Sequence, residues 1–307
     1  GGGTARQAAA ATTVVAGGSL LLAWLLLRER RRRRGAERGK ASVAEWQCAT
    51  TSAPWAARID LKMVTHGEGV VMIAGFSGRR HSDCWRSGNG REWTCRLRDK
   101  DAPFQRRFQH ALYVDSVGGL CVAGGEAPGW CVVNDVWRQA PGESKWTRIE
   151  EAAPWKPRCD FAAAELDDGS VLVTGGASGQ RLLDDIVWCG KAGTATRRDK
   201  APWGARRGLC AVVLSGSRIL VFGGRRGDEA ECRDVWCWAA GEWHQCGEAP
   251  WPLRSSAAAC LVPPSADGTG EAVALCGGLS PEGRPLQDLW ILDISPDAAS
   301  APDAATW

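Results

Sequence analysis

The sequence predicts an all-β chain, a five-bladed β-propeller preceded by a single transmembrane α-helix. Three observations predict it. A unit Ala-Pro-Trp/Phe-x-x-Arg returns five times at intervals of about fifty residues. Each copy is followed by short β-branched runs bounded by glycine, with room for the four strands of one blade. An uncharged stretch of membrane-spanning length, residues 8–27, stands ahead of all five copies.

Composition narrows the chemistry before any motif is read. The 307 residues are 44% hydrophobic and 24% charged, the balance of a folded chain rather than a disordered one. Seventeen Trp accompany a single Tyr, Tyr113, and four His, so redox tyrosines and multi-His metal sites have almost no raw material. Charge is segregated. Nine basic residues against Glu29 and Glu37 leave +7 in residues 1–40, and because the whole chain carries +3 the remainder is −4. No two of the 13 cysteines have Cys-x-x-Cys spacing, the nearest pair being Cys232 and Cys237, which excludes zinc ribbons and thioredoxin-like motifs. A chain this long needs no disulfide staples. Most of the cysteines are expected to be small buried apolar residues in a reducing compartment. Cys84 and Cys95, on facing strands of one hairpin, are the best candidates for a disulfide. No Asn-x-Ser/Thr sequon supports a glycosylated exterior.

Residues 1–7 read as a short tail and 8–27 as the membrane helix, which rises roughly 30 Å, one bilayer core. Arg28, Arg30, Arg31, Arg32, Arg33 and Arg34 follow it at once. A signal peptide carries its charge before the apolar stretch, so this order reads as a retained stop-transfer helix. The positive-inside bias puts the propeller on the matrix, stromal or cytosolic side. The same arginines are expected to meet anionic lipid headgroups. No aromatic interleaves them, so no nucleic acid is expected. Ala8, Thr12, Ala16, Gly17 and Gly18 form a small-residue face suited to packing on other transmembrane helices. The helix has no His and so offers no pigment or haem ligand. Residues 28–45 are a basic juxtamembrane linker.

The propeller is assigned to 46–293. Its repeated arginines are Arg58, Arg107, Arg158, Arg206 and Arg254. Seventeen residues after the first four come Gly75, Gly124, Gly175 and Gly223; Gly277 follows Arg254 by 23 because residues 263–270 lengthen a loop. Thirteen residues further stand Trp137, Trp188, Trp236 and Trp290, with Trp85 three residues early in the first copy. These residues resemble the kelch-repeat family. The resemblance rests on the double glycines Gly124-Gly125, Gly175-Gly176, Gly223-Gly224 and Gly277-Gly278. It rests also on Asp-x-Trp at Asp83/Trp85, Asp135/Trp137, Asp234/Trp236 and Asp288/Trp290, and on the fourth-strand Trp93, Trp146 and Trp243. Departures are Phe76 for the second glycine of repeat one, Ile186 where Asp is expected with Asp185 one residue off, and no fourth-strand Trp in repeat three. Trp46-Gln-Cys48 precedes its Ala-Pro-Trp as Trp243-His-Gln-Cys246 precedes the fifth, so an N-terminal strand is expected to complete the last blade and close the ring. The alternative is a sixth blade using Trp307. Residues 294–307 form a C-terminal tail.

The chemistry motifs that a propeller can carry are missing. Kelch-like copper-radical oxidases use two Tyr and two His, against the single Tyr here. Kelch-like iron-dependent specifier proteins use Glu-x-x-x-Asp-x-x-x-His, but the residues four before the histidines are Lys62, Ser77, Arg106 and Ala240. There is no His-Glu-x-x-His, Gly-x-Ser-x-Gly or phosphate loop. The four histidines, scattered among the repeats, are expected at the surface or in loops. The Asp of Asp-x-Trp is expected to cap backbone amides. The five equivalent arginines are expected to pair with Asp or carbonyls of a neighbouring blade; alternatively they point into the channel and form an anion ring. The expected function is therefore non-catalytic, with no cofactor or metal: a propeller scaffold docking proteins as an accessory or assembly subunit of a membrane complex. Contacts are expected through the helix and through loops 126–133, 177–183 and 225–232. The alternative is a kelch-fold enzyme or binding protein for a small anion, tethered to the membrane. The reduced cysteines and the positive-side domain favour the thylakoid or mitochondrial inner membrane.

Overall fold

A computed structural model describes residues 53–56, 58–89, 91–190, 194–262, 271–286 and 288–294. Among the described residues no helix is long and apolar enough to cross a membrane. The expected helix, its packing face, the arginine run, the closing strand at 46–48 and the C-terminal tail lie outside the described residues.

Five antiparallel sheets follow one another along the chain. Blade 1 is Lys62–His66, Gly69–Phe76, Arg80–Ser87 and Thr94–Leu97. Blade 2 is Ala111–Val114, Leu120–Ala127, Cys131–Gln139 and Trp146–Glu150. Blade 3 is Ala162–Glu165, Val171–Thr174, Asp185–Cys189 and Ala195–Lys200. Blade 4 is Cys210–Val213, Ile219–Phe222, Asp234–Ala239 and Glu242–Glu248. Blade 5 has three described strands, Ala258–Val262, Glu271–Cys276 and Leu289–Ile294. In each blade the strands pair in chain order, and the first strands of successive blades lie side by side as the inner wall of the ring.

A blade has a neighbour on both faces, so its inner strands bury both sides and lose the usual alternation. Ile219–Phe222 is buried at every position. The core is accordingly five wedges, one between each pair of blades. Leu112, Val122 and Phe104 belong to the wedge of blades 1 and 2, Tyr113, Ala163 and Val173 to that of 2 and 3, and Ala164, Leu172 and Val221 to that of 3 and 4. Phe222, Trp251 and Leu275 fill the next. Met63, Met72 and Leu61 against Ala258 close the ring between blades 5 and 1.

The second strand ends in two left-handed residues, and Gly125 shows why glycine is used: φ is +99° and a Cβ would lie 2.8 Å from the Phe108 carbonyl oxygen. Blade 1 corrects the sequence alignment. Its first left-handed position is Ala74, φ +60°, and Gly75, φ +109°, is the second. The Ala74 carbonyl accepts from Arg58, as the carbonyls of Gly124, Gly175, Gly223 and Gly277 accept from their own arginines. The tight turn Gly67-Glu68 shortens this hairpin by one residue, so counting from Arg58 overshoots. Phe76 is then simply the residue after the doublet.

Blade 3 is corrected in the same way. Val187 faces Val173, the position that Trp236 takes opposite Val221 and Trp137 takes opposite Val122. Asp185 is therefore in register, and it is the tryptophan that is replaced, by Val187. The preceding loop is one residue shorter here, so a count of thirteen from Gly175 lands on Trp188. That indole belongs to the other face of the sheet: it packs 5.0 Å from Trp238 of blade 4 and donates to Asp199.

Candidate functional site

The arginine that opens each repeat occupies the same station in every blade. Arg107 donates through Nη1 and Nη2 to the two carboxylate oxygens of Asp135 at 2.7 and 2.9 Å, and to Gly124 O at 2.9 Å. Trp137 Nε1 donates to the same carboxylate at 2.7 Å. Arg58 with Asp83, Arg158 with Asp185, Arg206 with Asp234 and Arg254 with Asp288 repeat the bidentate pair. The carboxylates lie in the same blade as their arginines, where the neighbouring blade was expected, and they bind arginine and, in four blades, an indole rather than capping a loop. Blades are joined by the backbone of the same residue. The carbonyls of Arg107, Arg158, Arg206 and Arg254 accept from Gly75, Gly125, Gly176 and Gly224 of the preceding blade at 2.8–3.2 Å. An anion drawn to these guanidinium groups would compete with a carboxylate at each of them. Burial would raise Asp135 and Asp234, but the guanidinium of Arg107 or Arg206 overrides it and holds the carboxyl below the usual range; at Asp288 the hydrogen bond from Arg254 is the dominant cause of the same shift.

Two residues past each arginine the backbone turns left-handed, at Asp60, Gln109, Asp160, Gly208 and Ser256. Amides pass a hydrogen bond round this inner ring, Asp160 to Gln109 O, Gly208 to Asp160 O and Ser256 to Gly208 O at 2.8–2.9 Å. Burial raises the carboxyls of Asp60 and Asp160, the latter to about 6 with the Asp60 charge adding, while Lys62 opposes both shifts. His110 beside them is wholly buried with no hydrogen-bond partner on either ring nitrogen.

A second buried histidine sits between blades 1 and 2. His81 Nε2 lies 2.7 Å from Ser77 Oγ and Nδ1 lies 3.1 Å from Asp99, which also accepts from the amides of Ser82 and Asp83. Burial, with the charge of Arg58, lowers the imidazole below its usual range and keeps it neutral at pH 7. The backbone carbonyl of His81 accepts from Arg107 of blade 2 at 2.8 Å, so the group also joins two blades. His81, buried within a strand, thus corrects the expectation of surface or loop histidines, while His110 lies in a connecting segment but is buried. Cys84 and Cys95 correct the disulfide: both are free, Cys84 standing opposite Leu97 and Cys95 opposite Trp85.

Two of the three most exposed large apolar side chains among the described residues are also at this junction. Trp130, in loop 126–133, is 73% exposed, and Ile59 is 64% exposed. Between them the guanidinium of Arg80 lies 4.7 Å from the Trp130 ring centre, 5.3 Å from Phe108 and 6.0 Å from Phe76, and pairs with Glu126. Ile59 bridges to Phe76, so the patch is continuous. The five arginines are thus parted into separate blades, while loop 126–133 meets residues that the motifs did not single out. The clue to them in the sequence was the run of bulky residues at 59, 76, 108 and 130, unremarkable until the fold puts them side by side.

No protein-family model matches the chain, and no curated protein matches it. Among solved structures, that of YjhT matches with a TM-score of 0.67 over 87% of this chain and 88% of that one, at 14% identity. At that identity the likeness shows the fold, a β-propeller, and no more.

Proposed function

We propose that this is a kelch-type propeller held at an organellar membrane by residues 8–27, where it serves as a non-catalytic platform for another subunit of a membrane complex. The observation that carries the reading is the patch of Trp130, Arg80, Phe76 and Ile59. Tryptophan and arginine are the residues most enriched where binding energy concentrates. Stacking over three rings pre-orders Arg80, so little freedom is lost when a partner covers it. A propeller also offers a rigid rim on which loops such as 126–133 can vary without cost to the core. The apolar segment and the arginine run support membrane attachment by their length and charge order.

The test is a photo-crosslinking amino acid placed at Trp130 in the full chain, in native membranes. The reading expects one discrete adduct with a second polypeptide, absent when the probe is moved to Glu143 on a distant exposed turn. Adducts with lipid alone, or an identical pattern from both positions, would refute it.

A further inference from the structure

We infer that the junction of blades 2 and 3 is a binding site for a planar aromatic molecule bearing a neutral or cationic substituent. This goes beyond the platform reading and rests on a comparison within the chain. In three blades the ring of Ala-Pro-Trp/Phe packs on two indoles of its own sheet. Trp55 lies 5.7 Å from Trp85 and 4.8 Å from Trp93; Phe104 lies 6.0 Å from Trp137 and 5.3 Å from Trp146; Trp203 lies 6.0 Å from Trp236 and 4.6 Å from Trp243. Blade 3 keeps the first ring, Trp155, and lacks both others. Val187 holds the place of Trp236. Ala195, opposite Cys189, holds the place of Trp243 opposite Trp238 and of Trp146 opposite Gln139.

The chain does not collapse into the space that two indoles vacate. A cavity of about 490 Å³ opens beside it, lined by Trp155, Val173 and Cys189 of the cluster that Val187 and Ala195 belong to, and within the roughly 300–1,000 Å³ of small-molecule sites. Its walls are apolar and come from both blades, with Val136 and Ala123 facing Val173, Ala163 and Trp155. Apolar walls with a few polar groups near the mouth are the usual make-up of small-molecule sites. The rim selects by charge. Asp115 and Glu150 at the mouth and buried Glu165 in the wall stand against one lining cation, Arg138, which pairs with Asp115 at 2.5 Å. An anionic ring would meet three carboxylates against one guanidinium, an excess of negative charge, whereas an amine would find acceptors. Deeper in, Tyr113 and Cys121 stay neutral, burial raising both. The mouth is reached past Ser116 and Val117, the latter 70% exposed, at the opposite end of strand Leu120–Ala127 from Trp130. A ligand there leaves the docking patch free.

The test is calorimetric titration of the full-length chain in detergent with indole, tryptamine and indole-3-acetate, together with a crystal soaked in 5-bromoindole. A ligand of this size is expected to bind in the micromolar to millimolar range. Tryptamine should bind at least tenfold more tightly than indole-3-acetate, and bromine density should fall between Val136, Val173 and Trp155. Ala195→Trp, which restores the residue of blades 2 and 4, should weaken binding tenfold or more. If that variant fails to fold, the bromine position decides. No saturable binding of any of the three by the unaltered chain, bromine elsewhere, or unchanged affinity in a folded A195W would each overturn the inference.

Discussion

Replacing Asp135 by Ala should unfold the propeller far more readily than its position on a half-exposed strand suggests. The substitution strips the carboxylate acceptor from Arg107 Nη1, Arg107 Nη2 and Trp137 Nε1 in one step, leaving Nη1 the Gly124 carbonyl alone. Arg107 is 0% exposed, so the loss leaves an uncompensated buried cation. Removing one partner of such a pair costs about 3–5 kcal/mol. For a folded body of this size about 2–4 °C is lost per kcal/mol, so the melting temperature should fall by roughly 6–20 °C. The internal control is Glu151→Ala, which breaks a pair with Arg148 whose partners are 45% and 80% exposed and should cost under about 1 kcal/mol. Arg107→Met added to D135A should restore part of the loss, because no charge is then left unpaired. The assay is thermal and urea unfolding followed by circular dichroism. If D135A were as mild as E151A, or the double variant no better than D135A, the five arginines would not be the staples described here.

Other outcomes follow from the same geometry. Gly176→Ala places a Cβ 2.6 Å from Cys159 O at φ +89° and should cost about 2–4 kcal/mol in urea unfolding. Asp135, Asp234 and Asp288 have depressed folded-state values, so their contribution is present above the usual carboxylate value near 4 and is lost as pH falls below it. Asp160 has the opposite sign: raised to about 6, it favours the folded state below about pH 4, and that contribution is lost as pH rises to 6. Asp160→Asn should therefore be more stable than the parent at pH 7.5, with the gain gone by pH 4 in a melting series. Brief alkylation at pH 7.5, read by peptide mass spectrometry, should label exposed Cys131 well before Cys84, Cys159, Cys210 and Cys260, whose thiols burial pushes up to about 12.

The repeat made the propeller legible. Five copies with four strand-length runs each, punctuated by double glycines, leave few other architectures, and the blades fall where the runs fall. Counting misplaced residues only where a turn or loop had lost a single residue. The short turn at Gly67-Glu68 moved the doublet of blade 1 to Ala74-Gly75. A loop shortened by one residue kept Trp188 at the expected distance while turning it to the wrong face. Spacing measures chain, and register measures space, so only the strand pairing could separate them. The missing fourth-strand tryptophan of repeat three was visible in the sequence. What it leaves behind was not, because a cavity depends on whether the neighbouring blade moves in. Likewise His81 meets Asp99 across 18 residues, and Trp130 meets Arg80 across a blade boundary, distances on which a linear pattern is silent.

The most direct test of the platform reading is mild-detergent solubilisation of native membranes, followed by native gel separation and mass spectrometry, with Trp130→Ala alongside the parent chain. The parent should migrate with a large membrane complex and name its partners, while W130A, equally stable to heat, should run near its own 32.8 kDa plus detergent. Migration of the parent chain by itself, or of both chains in the same complex, would contradict it.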